Sequence, residues 1–172
     1  MWLATIGNER IEETFDPELA IQRAISVYRK KGYDQKWIEN RIKTITNRNE
    51  LTESWEKHGI EDNIEFAILT NEIYKTWSDL TATEYKKIKN LKKESLRDNM
   101  TNTELALNNL AEVATKDLID KHNPYGLSQN KRVANEGGQV ARNARIDLEK
   151  RLGETVISSS NSKNIDLVES NR

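Results

Sequence analysis

Residues 127–153 read LSQNKRVANEGGQVARNARIDLEKRLG, and we expect them to form one long helix. Ser128 is the expected N-cap, and Gly153 ends the helix where a left-handed residue is favoured. Small residues recur on one stripe of this helix and lead into two leucines at helical spacing: Ala134, Gly137, Gly138, Ala141, Ala144, Leu148 and Leu152. Two adjacent glycines inside a helix cost about 1 kcal/mol each relative to alanine, so the stripe predicts a close approach of another backbone.

Two interpretations of this stripe remain open from the sequence. The first is close contact with another helix of the same domain. The second is a docking face for a second chain, either a different protein or another copy in a homodimer. The residues predicted to bind a partner in the second case are Gly137, Gly138, Ala141, Arg142 and Arg145.

The composition of the 172-residue chain favours an all-α fold. Hydrophobic residues make up 35% and charged residues 32%, which suits helices that each bury one stripe. Two prolines and seven glycines argue against a turn-rich β fold. We predict an irregular helical domain over residues 1–157, with about six or seven helices and a long C-terminal helix. The serine- and asparagine-rich residues 158–172 are predicted to be a disordered tail.

Helix starts are well marked along the chain. Asp16 before Pro17 and Asp34 after Gly32 predict two N-caps, and a further helix is expected from about Asp62. Two capping boxes follow, Thr81-x-x-Glu84 and Thr101-x-x-Glu104. Residues 51–57 are predicted to form a separate short helical piece. Four aromatic residues are the expected core anchors: Trp37, Trp55, Tyr74 and Trp77.

Patterns that would indicate an enzyme or a metal site are not found in the sequence. There is no cysteine, and the two histidines, His58 and His122, are far apart. Gly137 and Gly138 lie inside a predicted helix and therefore do not form a phosphate-binding loop. We expect no catalytic residue, no metal ligand and no cofactor.

The charge and hydropathy patterns limit the partners further. The net charge is −1, so the chain as a whole is not a general binder of polyanions. Its apolar runs are too short to span a bilayer, and its first residues lack the pattern of a signal peptide. We therefore expect a cytoplasmic protein that does not contact a membrane.

One segment is locally basic, residues 84–100, EYKKIKNLKKESLRDNM. It is the best electrostatic candidate for nucleic acid or for an acidic partner. The residues predicted to bind nucleic acid are Lys86, Lys89, Lys92, Lys93 and Arg97. The alternative is an ordinary solvated lysine face.

Residues 96–105, LRDNMTNTEL, resemble the C-terminal helical region of the DNA-damage-inducible protein D (DinD) family. Related regions occur in BRO-type phage antirepressors. The resemblance extends to DPELA at 16–20, WIENR at 37–41, EFAILT at 65–70 and EGG at 136–138. It thus covers most of residues 1–157.

The resemblance implies an accessory protein of the bacterial DNA-damage (SOS) response or of a prophage. The DinD family is associated with modulating the RecA recombinase filament, and its phage relatives with antagonising repressors. Both are acts of binding. The expected function is therefore a non-enzymatic protein-interaction module that acts on RecA–DNA filaments or on a repressor. The alternative is direct binding of nucleic acid through residues 84–97.

Overall fold

The computed structural model of the chain describes residues 7, 11–14 and 16–161. Residues 16–161 hold six α-helices and one 3-10 helix: α1 (Pro17–Lys30), α2 (Gln35–Lys57), α3 (Asn63–Ser78), α4 (Ala82–Ile88), the 3-10 helix (Arg97–Asn99), α5 (Asn102–His122) and α6 (Gly126–Leu152). None of the described residues lies in a β-strand. The all-α prediction is confirmed.

The predicted helix starts are confirmed by their capping hydrogen bonds. A carboxylate oxygen of Asp16, Asp34 and Asp62 accepts a hydrogen bond from a first-turn N–H of the helix that follows. Thr81 and Thr101 each complete a capping box with the glutamate three residues later. Each cap satisfies backbone donors that have no partner within the helix.

The predicted break before residue 51 is wrong, because α2 is continuous to Lys57. Polar residues in its middle are used by neighbouring helices. Asn47 donates to Asn109 of α5 at 2.7 Å, and Arg48 donates to Thr70 of α3 at 2.6 Å. These tertiary contacts hold a weakly helix-forming stretch in the helix.

The long helix α6 begins at Gly126, and its N-cap is Tyr125, three residues before the predicted cap Ser128. The Gly126 N–H donates to the backbone oxygen of His58 at 2.9 Å. The Tyr125 N–H donates to the side-chain oxygen of Gln129 at 3.0 Å. The start of α6 is thus fixed by the end of α2. Its end is as predicted, with Gly153 in the left-handed conformation at φ 76°.

Two helices, α5 and α3, pack closely against α6. The left-handed Asn123 ends α5, so α5 and α6 form an antiparallel hairpin. Asn135 donates to Thr76 at 3.0 Å, and Arg142 bonds to Asp79 further along both helices. Because both numbers rise together, α3 runs parallel to α6.

The fourth helix of the bundle, α2, lies along α5. Asn40 bonds to Asn102 at 3.3 Å and Asn47 to Asn109, so these two helices are also parallel. The helix α1 is more loosely attached. Its contacts with the core come from Ile25 and the neighbouring Tyr28.

The predicted aromatic anchors are confirmed. Trp37, Trp55 and Trp77 are fully buried, and Tyr74 is buried as well. The Trp37 indole N–H donates to the backbone oxygen of Met100 at 3.2 Å. A buried tryptophan usually finds such an acceptor, so these rings fix the helices in orientation as well as in position.

Residues 154–161 follow α6 without regular secondary structure and lie against the bundle. We refer to them as the C-terminal strap. Val156 and Ile157 of the strap pack against the core. The strap includes the first four residues of the predicted tail, and the rest of that tail, 162–172, lies outside the described residues.

Candidate interaction surfaces

The small-residue stripe of α6 is buried between α5 and α3 of the same chain. A Cβ added at Gly137 would lie 2.1 Å from Oγ1 of Thr115 and 2.6 Å from its backbone nitrogen. A Cβ added at Gly138 would lie 2.7 Å from Cβ of Thr76. Ala141 is fully buried. The two glycines therefore allow two neighbouring helices to come closer than any side chain would permit.

This arrangement decides between the two interpretations of the stripe. Intramolecular contact is what the structure contains, and Gly137, Gly138 and Ala141 offer no surface to a second chain. The homodimer and partner alternatives at these three residues are corrected for that reason. The continuation of the stripe differs too, because Ala144 is exposed and Arg145 is buried in its place.

The two predicted arginines of α6 clamp a single carboxylate. Arg142 and Arg145 each donate to Asp79, which ends α3 with a left-handed backbone at φ 62°. Burial is the largest single effect and raises the pKa of Asp79, but the hydrogen bonds and charges of Arg145 and Arg142 together outweigh it and hold this pKa below its usual value. Arg145 is thus buried in an ion pair within the chain, whereas Arg142 is partly exposed.

The predicted basic segment is divided by the fold, and Lys89 is not on the surface. Its ammonium group is buried 2.5 Å from a carboxylate oxygen of Glu104. Glu104 also accepts from the hydroxyl of Tyr85 at 2.8 Å and from the backbone of Thr101 at 2.7 Å. Burial lowers the pKa of Lys89 and, together with the charge of Glu104, raises that of Tyr85.

Arg97 is the second predicted nucleic-acid residue that the fold removes. It donates to the buried Glu112 at 2.5 Å, and its guanidinium lies 5.3 Å from the ring centre of Tyr74. Arg48 lies 3.9 Å from the same carboxylate. Lys86 is half-buried, and Lys92 and Lys93 are exposed. The nucleic-acid prediction therefore retains three of its five residues.

Sequence analysis missed these two ion pairs, because it identified Glu104 only as a capping residue and did not single out Glu112. A buried carboxylate needs a charged or hydrogen-bonding partner, and each partner comes from a distant segment. The only signal within the sequence was the capping box at Glu104. In residues 7, 11–14 and 16–161, no three His, Asp or Glu side chains group as a metal ion would require. The absence of catalytic residues stays a prediction.

An apolar surface lies at the end of the bundle where α3 and α6 begin. Tyr125 is 71% exposed and Ile64 66% exposed, and Ile68 is exposed one helical turn beyond Ile64. The Tyr125 ring lies against Gly59, in the connection between α2 and α3. Because α3 and α6 are parallel and in register, these side chains share one end, which we call the apolar end. Tyr125 was not among the residues that the sequence analysis predicted to bind a partner.

None of the described helices is long and apolar enough to cross a bilayer. Together, these features define an all-α bundle with ion pairs buried between distant segments and several large apolar side chains exposed at its surface. The chain belongs to the DinD C-terminal domain family, whose model matches residues 31–165. No curated protein matches the sequence.

Proposed function

We propose that this chain is a non-enzymatic protein-interaction module of a DNA-damage response, and that it binds RecA–DNA filaments. Membership of the DinD C-terminal domain family supports the link to DNA damage. A phage repressor is the other target considered, and it is an outcome of the test below.

The observation that carries the proposal is the apolar end. Ile64 and Tyr125 are the two most exposed of the large apolar side chains in the described residues. Large apolar groups exposed at one end of a bundle favour a protein-binding surface there, and tyrosine is enriched at the centre of protein interfaces. Inside the bundle, in contrast, Gly137 packs directly against α5 and the ion pairs are buried, so neither offers a surface to a partner.

The experiment is retention of partners on the immobilised full chain. The partners are RecA assembled on single-stranded DNA, RecA alone, the DNA alone and purified phage repressors. The test variant combines Ile64→Glu with Tyr125→Glu, which places charge on the apolar end. The matched control is Val140→Glu, at another exposed apolar residue on α6.

We expect the filament to be retained by the wild type and by Val140→Glu, and retention to fall at least tenfold in the double variant. If a repressor is retained instead of the filament, the chain is still a protein-interaction module, but its partner is the repressor. If neither is retained, or if Val140→Glu is as damaging as the double variant, the proposal is wrong.

Direct binding of nucleic acid is the second candidate function. It is favoured by the exposed Lys92 and Lys93, beside the half-buried Lys86. Replacing these three lysines with glutamine should then weaken DNA retention and flatten its dependence on salt, because fewer counterions are released. If the wild type does not retain DNA at low salt, this candidate is excluded.

A further inference from the structure

We infer that the groove beneath the C-terminal strap is a binding site for short peptides, which this chain occupies with its own residues 154–161. The groove lies between the C-terminal end of α6, the N-terminal end of α5 and the C-terminal end of α4. Charged side chains in the groove bind main-chain groups of the strap, and the core contacts two of its apolar side chains. A partner with a short segment of the same sequence pattern competes with the strap for the groove.

The first contact is made by Glu149 in the last turn of α6. Its carboxylate accepts the backbone N–H of Val156 at 3.0 Å and the hydroxyl of Thr155 at 3.1 Å. The same carboxylate lies 3.8 Å from the buried Arg145. Arg145 therefore orients the Glu149 carboxylate, and that carboxylate accepts the N–H of Val156.

The second contact is the buried pair of Glu104 and Lys89. Glu104 accepts the backbone N–H of Ser158 at 3.3 Å, and Lys89 donates to the backbone oxygen of Ser160. The two ions thus bind one main-chain donor and one main-chain acceptor, two residues apart. The chain bends at Ser159 between these two groups, so the site fits a short bent segment.

Between these contacts the strap places two branched apolar side chains, Val156 and Ile157, against the core. The strap bends at Val156, so two adjacent side chains reach the core. The occupant is therefore a short bent segment with two adjacent β-branched or similar apolar residues followed by small polar ones. Such pockets give a peptide site its selectivity, whereas the main-chain hydrogen bonds give affinity for any sequence.

The strap is held in a way that permits exchange. Among the described residues, no main-chain hydrogen bond joins 154–161 to another main-chain group. Its bonds run to the side chains of Glu149, Glu104 and Lys89, which would serve an incoming peptide equally well. A segment with few ladder bonds and limited apolar burial opens more easily than the helices beneath it.

This groove is separate from the apolar end. Glu104 lies in the first turn of α5, and α5 is antiparallel to α3 and α6. The strap is therefore at the opposite end of the bundle from Tyr125, and the two surfaces can be tested independently.

The test measures binding of a fluorescent peptide, ETVISSSN, to the full chain. The variant combines Val156→Asp with Ile157→Asp, so that its own strap loses the two apolar side chains that pack against the core. Ser159→Asp is the matched control, because Ser159 is exposed in the middle of the strap. A second peptide, ETDDSSSN, controls for charge and length.

We expect the double variant to bind ETVISSSN at least tenfold more tightly than the wild type or Ser159→Asp, and not to bind ETDDSSSN. Equal affinities for the two peptides, or no binding by a folded double variant, would overturn the inference. If the peptide does not bind but the filament is still retained, the groove is not a peptide-binding site and the proposed function is unaffected.

Hydrogen exchange on the wild type provides a readout that does not depend on folding of the variant. The amides of Val156 and Ser158 should exchange at least a hundredfold faster than the core amide of Thr115, since the strap opens without global unfolding. Exchange of all three at one common rate would show that the strap is a permanent part of the core, which would also overturn the inference.

Discussion

Gly137 of α6 lies directly against Thr115 of α5, so close that a Cβ at 137 would meet the Thr115 backbone nitrogen at 2.6 Å. This contact lets the two helices of the hairpin pack at minimal separation. It predicts that even the smallest side chain is harmful there. Gly137→Ala should lower the free energy of unfolding by roughly 1–3 kcal/mol, although alanine is the better helix former by about 1 kcal/mol.

Denaturant unfolding of Gly137→Ala measures this cost. Ala144→Leu is the matched control on the same helix, and its exposed position should keep its effect within about 0.5 kcal/mol. A Gly137→Ala protein as stable as the wild type would contradict the close contact of α5 and α6.

Lys89 should behave as a structural residue, unlike the other lysines of its segment. Lys89→Met leaves the buried Glu104 without its ionic partner and should cost about 3 kcal/mol of stability. Lys92→Met, on the surface, should change stability by less than about 0.5 kcal/mol. Adding Glu104→Gln to Lys89→Met should recover part of the loss, because the unpaired charge is then removed. Equal effects of the two lysine substitutions would argue against the buried pair.

Alkaline pH should destabilise the protein in part through Tyr33. Burial, with the nearby charge of Asp98, raises the pKa of Tyr33 to about 12, above its usual value of about 10. The unfolded chain loses this proton first, so the contribution is present below pH 10 and is lost as pH rises towards 12. Tyr33→Phe should therefore lose less stability than the wild type over that interval. Identical curves for the wild type and Tyr33→Phe would refute the assignment.

Asp79 should be more sensitive to its backbone than to its charge. Asp79→Asn keeps a residue that tolerates the left-handed conformation and should cost roughly 1 kcal/mol or less, since the carboxylate is 48% exposed. Asp79→Ala should cost about 1 kcal/mol more because alanine is strained at φ 62°.

The contribution of the Asp79 charge to the free energy of unfolding depends on pH over a defined range. Because the folded-state pKa is depressed, the carboxylate stabilises the protein above pH 4, and this contribution is lost as pH falls further. The stability difference between wild type and Asp79→Asn should shrink over that range. A difference that stays constant down to pH 2 would show that the clamp with Arg142 and Arg145 is not electrostatic.

Most of the helix starts were predictable because their signals are local. The Thr81 and Thr101 capping boxes each join residues three apart, so no tertiary information is needed to place them. The continuity of α2 was not predictable. It depends on Asn47 and Arg48 meeting Asn109 and Thr70, residues between 22 and 62 positions away.

The candidate surfaces were predicted less well, for a related reason. Charge and exposure are properties of the folded chain, and the sequence assigns Lys89 and Lys92 to the same basic run. Folding buries one against Glu104 and leaves the other in water. Tyr125 was not predicted to bind a partner, and its exposure depends on the way α6 begins against His58.

By itself, the sequence determined that this protein is all-helical, where most of its helices begin, and that α6 needs a backbone close to Gly137. Those properties rest on short-range hydrogen bonding and on the size of a single side chain. Only the tertiary structure decided that the close backbone belongs to α5 of the same chain, that Lys89 and Arg97 are internal, and that the strap lies on Glu104. Each of these depends on the pairing of distant segments, for which partners are chosen by packing and by the cost of leaving a buried charge alone.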